Sequence, residues 1–194
     1  MKPGDSPRPT KQRNERKALR SGFRVATQLI CKTMKILVIS DTHGYLDLLP
    51  KALKMAGDID ALIHLGDICD DESVLTEYVS CPIYMVPGNN DWLSRSPREL
   101  TIPLAGKTVF ITHGDRYRVS YGLDRIKYRA EELGADIAMF GHTHVAMLDM
   151  SGLPWLMNPG SLSLPRRSVY SFILIDVDEA GEWHPEIKYI ELKK

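Results

Sequence analysis

Five short apolar runs in this chain each stop at polar side chains able to hold a cation, and that regularity limits the folds open to it. Residues 35–40 run into Asp41-Thr42-His43, and 61–65 into Gly66-Asp67. Residues 83–86 lead to Gly88-Asn89-Asn90-Asp91, 107–112 to His113-Gly114, and 137–140 to Gly141-His142-Thr143-His144. The runs are short and rich in β-branched residues, as buried strands are. Leu46, Leu49, Leu53 and Ala56 fall at helical spacing and predict a helix over 45–56, with further helices over 71–79 and 122–133. Runs at 145–150, 168–177 and 185–192 then predict strands with no helix between them. Strand–helix alternation followed by a meander specifies a layered α/β architecture with a mixed sheet or two sheets.

In open α/β sheets the carboxyl ends of the strands converge on one crevice, where ligands bind. Taken singly, the polar residues say little. A strand-terminal Asp41 or Gly66-Asp67 is ordinary helix-cap or turn chemistry, and His113 or Asn89 alone reads as structural. Together, in this order and each at a strand end, they predict a metal site. Its donors are the carboxylates of Asp41 and Asp67, the imidazoles of His43, His113, His142 and His144, and the amide oxygen of Asn89. Mixed oxygen and nitrogen donors suit Mn, Fe, Co, Ni or Zn and disfavour calcium or a thiolate zinc site. Seven donors exceed what one ion needs, so two ions sharing a bridging carboxylate is the economical expectation.

The formal charge of zero conceals two unlike parts. Residues 1–33 carry nine Lys and Arg against two acidic side chains, net +7, which leaves the rest of the chain at −7. The basic stretch has Pro3, Pro7 and Pro9 among its charges and no lasting apolar period, so 1–33 is expected to be a non-catalytic extension and 34–194 the folded domain. A nucleic-acid arm, a membrane-surface helix or a transit peptide is the alternative use of such a basic stretch, and Met34 is an alternative start. A hydrophobic fraction of 43% supports a sizeable core, and no run of apolar residues is long enough to span a bilayer. Cys31, Cys69 and Cys81 are odd in number and widely spaced, which argues against a disulfide scaffold and for a reducing, cytoplasmic setting.

These blocks resemble the signature of the calcineurin-like metallophosphoesterases, over essentially all of residues 34–194. The compact size and Asn158-Pro159-Gly160-Ser161 are similar to the small bacterial phosphodiesterases of the YfcE type. The resemblance implies a four-layer α/β/β/α sandwich of two mixed sheets flanked by helices, with two divalent cations, most often Mn, at one sheet rim. It implies that Asp41, His43, Asp67 and His144 hold one ion and Asp67, Asn89, His113 and His142 the second, with Asp67 as the bridge. It implies a phosphodiesterase in which a hydroxide between the ions attacks phosphorus in line, and assembly as a dimer or tetramer. Many relatives carry a histidine where this chain has Asn90. An amide can donate a hydrogen bond to a phosphoryl oxygen but cannot serve as a general acid. Asn90 and the bridging Asp67 are therefore the expected catalytic residues, and activated esters the expected substrates.

Arg166 and Arg167 suit a phosphate, or simply solvate the surface. Asn158 and Ser161 read as closing a turn, Asp91 as orienting a ligand or loop, His64 as a satisfied structural histidine and His184 as a surface residue. Cys69 reads as a structural thiol, and Trp92 and Trp155 as packing residues. The leading expectation is hydrolysis of a small phosphodiester, with no membrane partner. The alternatives are a non-catalytic metal-binding scaffold, like the retromer subunit of this fold, a phosphomonoesterase, and a nuclease, which the −7 of residues 34–194 opposes.

Overall fold

Alternation of side chains along β1 (Met34–Ile39) sets the layering. Ile36 and Val38 enter one apolar cluster, whereas Leu37 and Ile39 enter another on the opposite face. A strand buried on both faces must lie inside a sheet covered on both sides. A computed structural model of the chain describes residues 33–166 and 169–192, and in it β1 is the middle strand of five. The basic segment 1–33, apart from Thr33, lies outside the described residues, as do Cys31 and Arg167.

The first sheet runs β10 (Trp183–Ile190), β9 (Tyr170–Val177), β1, β2 (Ala61–His64), β3 (Ile83–Met85). Its β1, β2 and β3 are parallel, and β9 and β10 pair antiparallel. The second sheet runs β4 (Glu99–Leu104), β5 (Lys107–Thr112), β6 (Ile137–Met139), β8 (Trp155–Pro159), β7 (Ala146–Asp149). Here β5, β6 and β8 are parallel and the two edge strands antiparallel. Ile36, Val38 and Ile63 of one sheet share a cluster with Val109, Ile111, Ile137 and Met139 of the other, so the sheets pack face to face.

The outer faces are covered by helices. Leu37, Leu62 and Phe172 pack against Leu49, Ala52 and Ala56 of α1 (Leu49–Ala56), and Phe110 and Ala138 against Ile126 and Ala130 of α2 (Asp124–Glu132). The architecture is the four-layer α/β/β/α sandwich of two mixed sheets. α1 starts at Leu49 rather than 45 because Pro50 occupies its first turn, where a missing N–H costs nothing. The helix expected over 71–79 is a 3₁₀ segment, Glu72–Glu77, started by Asp71, whose carboxylate accepts from Ser73 N–H at 2.8 Å. β4 and β8 were not foreseen. β4 holds Pro103, which a sheet tolerates at an edge, and β8 ends in the Asn158-Pro159 that reads as a turn.

His64 closes β2 inside the protein. Its Nδ1 accepts the Gly66 N–H at 3.1 Å, which places the ring proton on Nε2, 3.0 Å from Thr42 Oγ1. This is the satisfied structural histidine expected. Burial drives its pKa down to about 4, more than the nearby carboxylates raise it. The folded state therefore holds it neutral, and its contribution is complete above the unfolded-state value near 6.5 and is lost as pH falls towards 4. Urea denaturation should show wild type losing about 2 kcal/mol of its margin over His64→Gln between pH 7.5 and 4.5; a constant margin would contradict the assignment.

Candidate metal centre

The turns at the strand ends share one backbone feature. Asp41 (φ 53°), His43 (48°), Asp67 (55°), Cys69 (56°), His142 (66°) and His144 (57°) all adopt left-handed conformations. For residues with a Cβ this costs about 1–2 kcal/mol each, so their surroundings must impose it. In Asp41-x-His43, Asp67-x-Cys69 and His142-x-His144, the alternation aims two side chains of each segment at one place.

Hydrogen bonds between the turns supply the constraint. Asp41 N–H donates to Gly66 C=O at 3.0 Å and His43 N–H to Asp67 C=O at 2.9 Å, which zips the first turn onto the second. Asp91 holds the second turn from beneath. Its buried carboxylate accepts N–H bonds from Asp67 (2.8 Å), Ile68 (3.3 Å), Cys69 (2.7 Å) and Gly88 (2.7 Å). Ser161 and Ser163 hydroxyls both donate to the Asp41 carbonyl, at 2.8 and 3.0 Å, while Asn158 Nδ2 donates to the Gly141 carbonyl at 2.8 Å. Asn158 and Ser161 thus brace the site from behind.

Two glycines let the turns approach. A Cβ on Gly88 would lie 2.1 Å from Asp67 Oδ1, and one on Gly141 2.0 Å from Ser40 Oγ and 2.7 Å from Asp41 Oδ2. Neither position can carry a side chain while its neighbours stay in place.

The side chains so gathered are incompletely satisfied. Asp41 Oδ2 accepts from Ser40 Oγ at 2.7 Å and from His142 N–H at 3.0 Å, but buried Oδ1 has no hydrogen-bond partner. His113 Nδ1 lies 2.8 Å from the Leu65 carbonyl and must carry the proton, leaving buried Nε2 also without a partner. These two bare atoms are 4.0 Å apart, and Asp67 Oδ2 is 3.5 Å from His113 Nε2 and 3.8 Å from His43 Nε2. His144 donates from Nδ1 to the Leu164 carbonyl at 2.5 Å, and its Nε2 faces His43 Nε2 at 3.3 Å. Imidazoles held by carbonyls through one nitrogen and bare at the other are typical of metal ligands.

The ligand atoms of Asp41, His43 and His144 lie within 4.8 Å of one another, and so do those of Asp41, Asp67 and His113. His142 is half-buried one ring further on, its centroid 5.2 Å from that of His113. Asn89 lies exposed in the turn after β3. Beside it, Asn90 donates from N to Asp67 Oδ1 at 2.8 Å and from Nδ2 to Oδ2 at 2.6 Å, so its amide grips the expected bridging carboxylate. Arg166 is exposed; its N–H donates to the His144 carbonyl at 3.4 Å. The donor set fits the divalent cations inferred from sequence, since two buried atoms that need a partner point into its middle.

Electrostatics agree. Burial would raise the Asp67 carboxyl, but His113 and the Asn90 N–H groups hold it well below the usual carboxylate range. Burial likewise lowers His113, yet Asp67 and Asp41 outweigh it and raise the ring to about 9. His142 is pushed down by burial and by the charge on His113. Without a cation, the carboxylates are compensated by a proton on His113.

Two expectations need correction. Cys69 is exposed rather than a structural core thiol; its Sγ lies 3.6 Å from His43 Nδ1, and its pKa is pushed up to about 11 by partial burial and the surrounding carboxylates. Trp92 is 83% exposed rather than a packing residue. Its neighbours Asn89 to Asp91 and Ser94 to Ser96 are all polar, and that lack of apolar periodicity was the available signal. Trp155 is half-buried, with Lys107 Nζ 4.9 Å from its ring, and His184 is exposed beside Asp178, as expected of a surface histidine. The carbonyls of Leu65 and Leu164 could not be found from sequence, because main-chain acceptors leave no residue signature.

Residues 34–180 match the family model for the calcineurin-like phosphoesterase superfamily domain. The chain is 33% identical over 148 residues to a protein named probable metallophosphoesterase YsnB of Bacillus subtilis strain 168, covering 75% of this chain and 85% of YsnB. A crystal structure of a predicted phosphoesterase from Streptococcus pneumoniae TIGR4 superposes with a TM-score of 0.65 at 29% identity, over 75% of this chain and 84% of that one. The zinc complex of Vps29 from Entamoeba histolytica shares the fold, with a TM-score of 0.66 at 21% identity over 80% and 98% of the two chains.

Two outcomes follow. Because His113 keeps its proton up to about pH 9, cation binding must displace that proton. Apparent Mn affinity, measured by calorimetry in buffers of differing ionisation enthalpy, should rise by up to about tenfold per pH unit between 6.5 and 8.5 with proton release. A flat profile would contradict the protonation assigned. Asp91→Asn should lose about 1–3 kcal/mol of stability and weaken Mn binding, because one oxygen that accepts N–H bonds becomes a donor. Unchanged Mn affinity would show that Asp91 does not position Asp67.

Proposed function

From the chain's membership of the calcineurin-like phosphoesterase superfamily, we propose that it is a metal-dependent phosphodiesterase that cleaves a small phosphodiester by in-line displacement at phosphorus. The observation that carries this reading is the pair of buried, partnerless atoms, Asp41 Oδ1 and His113 Nε2, at the centre of the cluster. In the empty protein the buried carboxylates are offset only by a proton on His113, an arrangement that a purely structural site would have no reason to retain. A metal-binding scaffold would keep the same ligands, so turnover, not metal binding, separates the two readings.

In this reading Asp41, His43, Asp67 and His144 hold one cation, and Asp67, Asn89, His113 and His142 the other. Mn is the cation that the family resemblance favours, and the donors suit Zn, Ni, Co and Fe as well. Such a cation pair supplies Lewis acidity and a water acidic enough to ionise near neutral pH. The chain's own residues do the rest. The carbonyls of Leu65 and Leu164 fix which nitrogen His113 and His144 present. Asn90 orients Asp67 through Nδ2, and its second amide hydrogen is free to donate to a phosphoryl oxygen. Arg166, exposed beside His144, is placed to meet a phosphate oxygen once substrate arrives. A cytoplasmic setting and assembly as a dimer or tetramer belong to the same proposal.

Nothing at position 90 can protonate a departing alkoxide. General-acid help is worth roughly 10²–10⁴-fold, so an aryl diester should be cleaved at least about 10²-fold faster than an alkyl diester of equal fit. Equal rates would mean that another group supplies the proton. With bis(p-nitrophenyl) phosphate, activity should require added Mn and fall by about 10²-fold or more in Asp67→Asn, which keeps one of the two acceptors for Asn90. Full activity in that variant would remove Asp67 from the centre of the site, and an inert wild type loaded with Mn would favour the scaffold.

A further inference from the structure

A groove of about 1070 Å³ opens beside the metal centre, lined by residues that include Asn90 and Trp92. One wall is the segment from Cys69 to Glu72 and the other the loop from Trp92 to Pro97. Asn90 stands at its inner end, with Nδ2 on Asp67 Oδ2 at 2.6 Å, so groove and centre are continuous. The walls are tied together. Glu72 accepts from Ser94 Oγ at 2.5 Å and Ser96 Oγ at 2.8 Å, and Asp91 holds the backbone beneath the first wall. Such bracing keeps the groove open without a ligand, which lowers the cost of filling it. Above it Trp92 and Leu93, 83% and 95% exposed, are held out in water on a loop fixed at its base. Adjacent large apolar side chains left in solvent beside a polar centre mark a binding surface. The opposite wall carries Asp70 and Asp71, with Arg95 the cation among the lining residues.

We infer that this groove receives one alcohol half of the phosphodiester, and that this half is a planar aromatic group without a further phosphate, of nucleoside or aryl type, stacked on Trp92. The inference rests on the phosphodiesterase reading and narrows its substrate class. A phosphate over Asp67 and Asn90 sits at the inner end of the groove, so the substituent on that side must run along it. Indole offers a flat platform to any ring, whereas a sugar or short alkyl alcohol gains little from it. The volume suits a group of nucleoside size. A second phosphate at the far end would face Asp70 and Asp71 with only Arg95 in compensation, because Glu72 is engaged by the two serines.

Calorimetry on the Mn-supplemented protein tests this without requiring turnover, using methyl phosphate, adenosine 5′-phosphate and adenosine 3′,5′-bisphosphate as probes. Adenosine 5′-phosphate should bind about tenfold or more tighter than methyl phosphate. Trp92→Ala should erase that difference while methyl phosphate binds as before, which also shows the variant is folded. The bisphosphate should bind more weakly than the monophosphate, and Asp70→Asn combined with Asp71→Asn should remove the penalty. A preference for adenosine 5′-phosphate that survives Trp92→Ala, or a bisphosphate that binds as well as the monophosphate, would overturn the inference. Trp92-dependent binding in a protein that cleaves no diester would refute the phosphodiesterase reading alone.

Discussion

The site depends on a geometric constraint at the rim of the sandwich. Parallel strands from two sheets end at one edge, and their chains must turn within two or three residues without colliding. β1, β2 and β6 all do so through left-handed turns at residues that carry side chains. Those conformations persist because each turn is bonded to another: Asp41 and His43 to the carbonyls of Gly66 and Asp67, the Asp67 turn to Asp91, and His142 to the Asp41 carboxylate. Glycine at 88 and 141 admits this closeness. The strain is therefore shared, and loosening one turn would release the others.

That shared scaffold explains the polarity of what it presents. One side of several candidate ligands is already engaged, by the Leu65 carbonyl for His113, the Leu164 carbonyl for His144, and the Ser40 hydroxyl with the His142 N–H for Asp41. Asp41 Oδ1 and His113 Nε2 are left without a hydrogen-bond partner, and His144 Nε2 faces Asp41 Oδ1 at 3.2 Å and His43 Nε2 at 3.3 Å. In the cation-free protein a proton on His113 offsets part of the carboxylate charge. A cation would replace that proton and satisfy the bare oxygen and nitrogen together. Backbone strain, orphaned atoms and a raised imidazole thus have one cause.

Much of this was legible beforehand because it rests on local chemistry. The both-faces-apolar reading of 35–40 and 61–65 gives buried parallel strands, and polar residues immediately after them must fall at the rim. Pro50 hid little, since it shortened a helix whose apolar spacing was clear. β4 escaped because Pro103 and its half-exposed side chains resemble a loop until β5 is there to pair with it. β8 escaped because Asn158-Pro159 is turn chemistry in isolation, and only its neighbours β6 and β7 make it a strand. Within the site, the ligands were visible as motifs, but Asn90 gripping Asp67 and Trp92 standing in solvent were not. Both depend on where a loop travels after it leaves the sheet.

The most direct measurement is anomalous diffraction at the manganese edge from crystals of the full chain soaked in Mn. The account predicts density against Asp41 Oδ1 and His113 Nε2, flanking Asp67, with the turns at 41, 67 and 142 still left-handed and the Leu65 and Leu164 carbonyls still bonded to their imidazoles. Manganese bound elsewhere on the surface, or those turns relaxing to ordinary backbone angles when it binds, would contradict it.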